Sequence, residues 1–247
     1  MRARLSALVL VVAFGCAEAQ TVKLGSPSTL VRRLELYTSE GCSSCPPADR
    51  WLSTLTVDER LWNELVPGAF HVNYWDYIGW RDEFELPSYG ERQRRYARAG
   101  NLKMVYTPGF VLDGKAWRRW FRDHEIPSDE PTEEGALKVD VNDGQGRVVF
   151  DAAAGVNLDT PELQLTVLGF GLAIEVKAGE NRGRVLHHDF TVLSYASTAL
   201  SKQADGYAAT VALPDVELPA ERMALAVWVT DRRGPGPIQA AGGWLKN

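Results

Sequence analysis

Two cysteines stand three positions apart in the stretch SEGCSSCPPADRWLSTL, where one sequence pattern ends and another begins. Before them, Leu30–Ser39 alternates apolar and polar residues, which is typical of a half-buried strand. From Pro46 onwards, apolar residues recur at spacings of three and four, which predicts a helix. Cys42 therefore lies at or just before a helix N-terminus, where unpaired N–H groups stabilise a thiolate. We expect Cys42 to be accessible and Cys45 to close a disulfide on it.

Three interpretations of this cysteine pair remain open at this stage. A redox pair fits the C-x-x-C spacing between a strand and a helix, although Glu40 disfavours the thiolate. Two thiolates could also hold Cu(I), but a structural zinc site needs further ligands that the sequence lacks. The adjacent histidines His187 and His188 would point to opposite faces of a strand. An inert disulfide would close a very short loop and stabilise the fold by only about 2 kcal/mol.

The N-terminus and the charge of the chain indicate where it works. Residues 1–19 carry two arginines, a short apolar run and small residues before Gln20, the layout of a secretory signal peptide. The alternative is lipid modification at Cys16. No later segment is apolar enough to span a membrane, and a net charge of −5 gives no electrostatic reason to bind nucleic acid. We expect a periplasmic or secreted protein, in a compartment that permits disulfides.

The patterns beyond the cysteines divide the chain into two parts. Within residues 20–125 the order strand, helix, strand, helix, strand, strand predicts an α/β unit. Residues 126–136 are rich in charge, proline and glycine and read as a linker. Residues 137–247 contain short β-like runs separated by turns such as Asn142-Asp143-Gly144, which favours a mainly antiparallel β-sandwich-like domain.

Four blocks of sequence carry a resemblance to a known family. They are ELYTSEGCSSCPPAD, FHVNYWDYIGWRDEF leading to RQRRYA, VYTPGFVLDG, and GENRGRVLHHDF. The chain resembles the DUF1223 family of exported bacterial proteins, and the resemblance implies a thioredoxin-like fold for the first part. Asn73 and Gly109 depart from the family pattern, which has Asp and Gln there. The resemblance also implies that Thr107-Pro108 faces the cysteines across a cis peptide bond and binds an extended substrate.

Several other polar residues are candidates with two interpretations each. Glu35 could be a buried acid that accepts a proton from Cys45, or a solvent-facing strand residue. Trp75 and Asp76 could line the substrate groove, or belong to an aromatic cluster. His71 is expected to be a core histidine with its hydrogen bonds satisfied. Arg182 could reach the cysteines, or the turn around it could support a domain interface.

The cationic residues of the second predicted helix have a plainer interpretation, as its solvent-facing side. They are Arg92, Arg94, Arg95 and Arg98.

The sequence therefore predicts an exported protein with a thioredoxin-like α/β domain followed by a β-sandwich-like domain. We expect thiol–disulfide exchange with a protein or small-thiol partner, in which Cys42 forms the mixed disulfide and Cys45 resolves it. No organic cofactor is implied, because the cysteine pair itself carries two electrons. The alternative is a binding or assembly protein without turnover. It would deliver Cu(I) through Cys42 and Cys45, or dock a partner through the β domain.

Overall fold

The computed structural model describes residues 21–245, except residues 129, 131, 219 and 233. The predicted signal peptide and Cys16 lie outside this range. The strands are β1 (Val22–Gly25), β2 (Arg32–Thr38), β3 (Leu65–His71), β4 (Gly109–Leu112), β5 (Lys115–Ala116), β6 (Gly135–Asn142), β7 (Gln145–Ala152), β8 (Pro161–Phe170), β9 (Leu172–Glu175), β10 (Val185–His188), β11 (Thr191–Ala199), β12 (Ser201–Gln203), β13 (Gly206–Ala212), β14 (Arg222–Asp231) and β15 (Gly234–Trp244). The α-helices are α1 (Pro46–Thr54), α2 (Pro87–Arg98) and α3 (Trp120–Asp123), and 3₁₀ helices cover Leu55–Val57 and Asn73–Ile78.

Among the described residues, the strands form three sheets. The largest has eight strands in the order β15-β14-β8-β11-β3-β2-β4-β5. A five-stranded sheet has the order β1-β6-β7-β13-β12, and β9 and β10 form a separate antiparallel pair. None of the helices in the described part of the chain combines the length and the apolar character needed to cross a membrane.

The predicted fold class is wrong. The structure is mainly β, with 46% strand and 15% helix, and is not a thioredoxin-like α/β domain followed by a β-sandwich-like domain. Strands β2, β3 and β4 do not form a sheet of their own, because β3 pairs in parallel with β11. The Ala69 N–H donates to the Phe190 carbonyl oxygen at 2.8 Å at this junction. Residues from both predicted parts therefore share one eight-stranded sheet.

The predicted domain ranges can be compared with two further pairings. In the five-stranded sheet, β1 pairs with β6, and Val22 lies opposite Val141. In the linker region, an isolated bridge joins Thr29 and Glu133. The first residues of the range 20–125 thus pair with the start of the range 137–247. The division into two domains stays a prediction.

Two apolar layers cover the two faces of the large sheet. Because side chains alternate between the faces of a strand, β14 contributes to both layers. Trp228 packs on the face of the sheet that α1 and α2 cover, where Leu52 and Phe70 are also buried. Val227 lies in the other layer, with Phe150 of the five-stranded sheet. Burial of each such side chain contributes about 1.5–3 kcal/mol to folding, and the large sheet is thereby held as a central layer.

The ends of three strands meet at the start of α1. Thr38 at the end of β2 lies opposite His71 at the end of β3, and Gly109 at the start of β4 pairs with Tyr37. Two prolines open α1 after Cys45, at positions where a missing N–H leaves no helical hydrogen bond unmade. The cysteines are therefore held between a strand end and a helix start, as their spacing predicts.

Candidate functional site

The cysteine turn, residues 39–45, carries a disulfide. Cys42 and Cys45 are bonded to each other, with a Cα–Cα distance of 5.4 Å. The Cys42 N–H donates to the Ser39 carbonyl oxygen and the Cys45 N–H to the Cys42 carbonyl oxygen, both at 3.1 Å. Cys45 is the N-cap residue of α1, so the bridge sits at the positive end of the helix.

The expected accessibility of Cys42 is wrong for this conformation. Both cysteines have 0% exposed surface, whereas Ser43 and Ser44 between them are exposed. The turn packs tightly against the 3₁₀ helix Asn73–Ile78, because a Cβ added at Gly41 would lie 3.1 Å from side-chain atoms of both Trp75 and Ile78. A partner cannot reach the sulfur atoms until neighbouring groups move.

The loop formed by residues 179–184 also holds the cysteine turn. The Asn181 side-chain amide donates to the carbonyl oxygens of Glu40 and Cys42, at 2.7 and 3.0 Å. The Glu180 carboxylate accepts the Ser43 N–H at 3.1 Å. Hydrogen bonding with the Ser43 side chain, and then with its backbone N–H, lowers the pKa of Glu180. Arg182 is exposed, and it is Asn181 that contacts the turn. Sequence reasoning had singled out Arg182 and missed the amide.

An apolar cleft of about 550 Å³ lies beside the disulfide. Its lining includes Ser44, Pro47, Thr107, Pro108, Trp120 and Phe121. The Thr107–Pro108 peptide bond is cis, which confirms the prediction. Trp75 is not among the residues that line the cleft, but its indole nitrogen donates to the hydroxyl of Thr107, which is, at 2.7 Å. The structure thus brings together Thr107, Pro108, Trp75 and the cysteine turn.

Glu35 does not have the environment predicted for a proton acceptor. It is buried and accepts hydrogen bonds from Arg92, Tyr96 and Tyr37, with the Tyr37 bond at 2.7 Å. Burial by itself raises the pKa of Glu35, but the charges of Arg92 and Arg33 outweigh burial and lower it. Glu35 is therefore an ionised structural carboxylate. Arg92, predicted to face solvent, is its buried partner.

Asp76 lies on the same 3₁₀ helix as Trp75 and is half-buried. Desolvation raises the pKa of its carboxyl group, and Oδ1 has no hydrogen-bond partner among the described residues. Asp76 is not among the residues that line the apolar cleft. Its predicted role in substrate binding stays a prediction.

Behind the cysteine turn lies a buried histidine–carboxylate cluster: Glu40, His71, Asp82 and His188. His71 Nδ1 and Asp82 Oδ2 are 2.7 Å apart, and the rings of His71 and His188 are 4.9 Å apart between centroids. Burial lowers the pKa of His71, but Asp82 more than reverses this effect and raises it to about 9. Burial and the nearby Asp82 charge raise the pKa of Glu40 to about 8. Burial and His71 lower the pKa of His188 to about 3.

Sequence reasoning missed this cluster, although the signals for parts of it were visible. His71 was expected to have satisfied hydrogen bonds, yet its Nε2 has no partner among the described residues. His187 is exposed and His188 is buried, so the adjacent histidines do point to opposite faces. The four residues come from three separate blocks, with His71 and Asp82 in the same one, and no short-range pattern brings the blocks together.

A second buried carboxylate lies under the cysteine turn. Asp49 is one helical turn beyond Cys45 on α1, and Thr38 donates a hydrogen bond to it at 3.1 Å. Burial raises the pKa of Asp49 to about 7, against the opposing effects of His71 and the Thr38 hydroxyl. The sequence analysis did not identify Asp49, because a single Asp in the first turn of a helix is ordinary.

Comparison with known proteins identifies the family. Residues 34–230 match the family described as "Protein of unknown function (DUF1223)". The chain belongs to the DUF1223 family. No curated protein matches this DUF1223 chain in sequence.

Two solved structures are similar to this DUF1223 protein. One is the crystal structure of protein AGR_C_4864 from Agrobacterium tumefaciens, with 21% identity and a TM-score of 0.57. The match covers 87% of this chain and 94% of that one. The other is HBP35 of Porphyromonas gingivalis, with 16% identity and a TM-score of 0.57, covering 88% of this chain and 76% of that one. At these identities the likeness concerns the fold alone.

Gly109, where the family resemblance led us to expect Gln, has a crowded environment. A Cβ at this position would lie 2.7 Å from the Tyr106 carbonyl oxygen and 3.0 Å from the Gln93 side-chain nitrogen. Gln93 donates to that same carbonyl oxygen at 2.8 Å and accepts from the Tyr74 hydroxyl at 3.0 Å. The space and the hydrogen bonds that a glutamine side chain in place of Gly109 would need are therefore taken by Gln93.

Proposed function

We propose that this protein carries out thiol–disulfide exchange through Cys42 and Cys45 on a protein or small-thiol partner. The observation that carries the proposal is the position of the disulfide beside the apolar cleft. Exposed Ser44, next to Cys45, lines the cleft together with Thr107 and Pro108. A partner bound in the cleft would thus lie against the residue adjoining the disulfide.

The proposed chemistry uses only the two cysteines and the partner. A partner thiolate attacks Cys42, a new S–S bond forms, and the Cys42–Cys45 bond breaks with its electron pair passing to Cys45, which takes up a proton. A second partner thiolate then displaces Cys42, which releases an oxidised partner and the reduced protein. The same steps in reverse reduce a partner disulfide. The N-terminus of α1 supports the reaction because it favours the thiolate forms.

Burial of both sulfur atoms makes local opening part of the proposal. The 179–184 loop holds the turn through the Asn181 amide and the Glu180 carboxylate. We expect exchange to pass through a minor conformation in which these bonds are broken. The observed rate then reflects the population of that conformation as well as the intrinsic reactivity of the sulfur atoms.

The lining of the cleft favours a protein partner. Met104 and Phe121 in the cleft are 61% and 52% exposed, which leaves apolar surface for a side chain next to the partner's cysteine. Export, predicted from residues 1–19, would place the protein where disulfides persist.

The test measures exchange between the purified oxidised protein and a fluorescent peptide with two cysteines and a flanking leucine. We expect C42S and C45S each to abolish formation of the peptide disulfide. We expect F121S to slow the reaction with the peptide, but not the reaction with glutathione. V57S is the matched control, because Val57 is 86% exposed and is not among the cleft residues.

Two results would contradict the proposal. One is a rate of peptide oxidation that is the same for wild type, C42S and C45S. The other is a rate of peptide oxidation that is no faster than with free oxidised glutathione, both for the wild type and for a variant whose cysteine turn has been loosened.

A further inference from the structure

The histidine–carboxylate cluster brings four donor side chains into one buried place. Glu40, His71, Asp82 and His188 are each no more than 2% exposed. Glu40, His71 and Asp82 each offer one donor atom, and these atoms all lie within 4.8 Å of one another. His188 Nε2 is 3.8 Å from Glu40 Oε1. Imidazole nitrogen and carboxylate oxygen are common ligands of zinc and related metals.

Several atoms of the cluster have no hydrogen-bond partner among the described residues. They are Glu40 Oε1, His71 Nε2 and both ring nitrogens of His188. Buried polar atoms nearly always have a partner, so four such atoms in one cluster require an explanation. Each of these three side chains has an atom that could supply a lone pair to a cation, and Glu40 Oε1 and His188 Nε2 are already neighbours.

The remaining polar atoms of the cluster are held in fixed directions. Asp82 Oδ2 lies 2.7 Å from His71 Nδ1 and accepts the Glu40 N–H at 2.8 Å. The Trp80 indole donates to Glu40 Oε2 at 2.6 Å, which leaves Oε1 as the unpartnered oxygen. A histidine whose one nitrogen contacts a carboxylate, with the other nitrogen free, is the usual arrangement around a metal ion.

We propose that Glu40, His71, Asp82 and His188 bind a divalent cation of the zinc class. Asp82 acts either as a direct ligand or through His71. Once the cation has displaced the protons of Glu40 and His71, two carboxylates and two neutral imidazoles carry two negative charges, which the divalent cation neutralises. Calcium and magnesium fit less well, because they prefer oxygen ligands throughout. Copper(I) fits less well because the cluster has no sulfur donor.

The spacing of the donors requires only a small adjustment. In a tetrahedral site with bonds of about 2.1 Å, ligand atoms stand roughly 3.4 Å apart. The 3.8 Å between Glu40 Oε1 and His188 Nε2 is close to that value, and the separations of up to 4.8 Å among the donor atoms of Glu40, His71 and Asp82 close by side-chain movements of about an ångström.

A network of charged groups without a metal is the competing explanation. It accounts for the contact between His71 and Asp82 as an ion pair. The network without a metal gives no function to His188, which is buried with neither ring nitrogen bonded, and none to Glu40 Oε1. A bound cation gives Glu40 Oε1, His71 Nε2 and one ring nitrogen of His188 a partner.

The experiment titrates the purified, chelator-treated protein with Zn²⁺ against a chromophoric competitor, and measures bound metal by mass spectrometry. We expect one Zn²⁺ per chain. Loss of an outer-shell partner costs roughly 10- to 100-fold in metal affinity, so we expect E40Q and H188Q to lose at least that much. H187Q is the matched control, because His187 is the exposed neighbour on the same strand, and it should bind as the wild type does.

A second measurement keeps the test valid if E40Q or H188Q fails to fold. X-ray absorption of the wild-type protein with zinc bound should show nitrogen and oxygen neighbours, imidazole scattering and no sulfur. The double variant C42S/C45S should bind zinc as tightly as the wild type, which separates this site from the proposed exchange. Failure to bind zinc at micromolar concentration, sulfur in the first shell, or equal affinity in wild type, E40Q and H188Q would overturn the proposal.

Discussion

The substitution N181A tests whether the 179–184 loop controls access to the disulfide. The Asn181 side-chain amide bonds to the carbonyl oxygens of Glu40 and Cys42, and its oxygen accepts from Arg184 at 2.7 Å. Removal of the side chain breaks both bonds to the cysteine turn. In the opened turn the two carbonyls bond to water instead, so the substitution raises the free energy of the closed conformation only.

The size of the effect follows from the two hydrogen bonds. Each contributes a net of about 0.5–1.5 kcal/mol, so together they favour the closed turn by about 1–3 kcal/mol. Because every 1.4 kcal/mol is a factor of ten, the open population rises by roughly 5- to 150-fold. When opening is fast compared with the chemical step, the rate of disulfide reduction rises by the same factor.

The assay follows reduction of the Cys42–Cys45 disulfide by dithiothreitol, with alkylation of the freed thiols and mass spectrometry. R182A is the control, since Arg182 is the exposed neighbour in the same loop. Urea unfolding must show that N181A remains folded, so that reduction proceeds by local opening. Equal reduction rates for N181A and wild type, or the same acceleration in R182A, would refute the reasoning.

Three further predictions concern stability. Because burial raises the pKa of Asp49 to about 7, its ionisation destabilises the fold as pH rises from about 4 to 7. Urea unfolding should therefore show that the free energy of unfolding of D49N, relative to wild type, increases by about 4 kcal/mol between pH 4.5 and 8. A difference that stays constant with pH would contradict this. E35Q leaves the Arg92 charge buried without its partner and should cost about 3–5 kcal/mol in the same assay, whereas an unchanged midpoint would show that the pair contributes little. G114A should lower the melting temperature, because a Cβ there lies 2.4 Å from the Gly236 Cα at φ +79°; a wild-type melting temperature would show that the turn can relax.

Local sequence patterns predicted the elements around the cysteines but not how those elements combine. The strand before Gly41 and the helix after Cys45 follow from side-chain periodicity, and both are present. The cis bond before Pro108 followed from the family resemblance. The pairing of β3 with β11 was missed, because parallel pairing between distant segments leaves no signal in a window of ten or twenty residues.

The candidate site shows the same limit. Burial of Cys42 depends on packing by segments that are distant in sequence, and Asn181 is 139 positions away from it. Arg92 was predicted to face solvent, and Glu35 had both a buried and a solvent-facing interpretation, because a strand residue and a helix residue do not reveal that they face each other. The histidine–carboxylate cluster combines residues of three blocks. Its members could be flagged one by one, but only the fold shows that they meet.

The contact between Asn181 and the cysteine turn restricts how the sequence can change over evolutionary time. The amide bonds to the main-chain oxygens of Glu40 and Cys42, so this contact depends on the path of the backbone. An insertion in the cysteine turn or in the 179–184 loop would break the hydrogen bonds between them. The properties of the CxxC motif in this chain therefore depend on distant segments. Residues 39–55 transplanted alone into another scaffold would form a solvent-exposed disulfide with different reactivity.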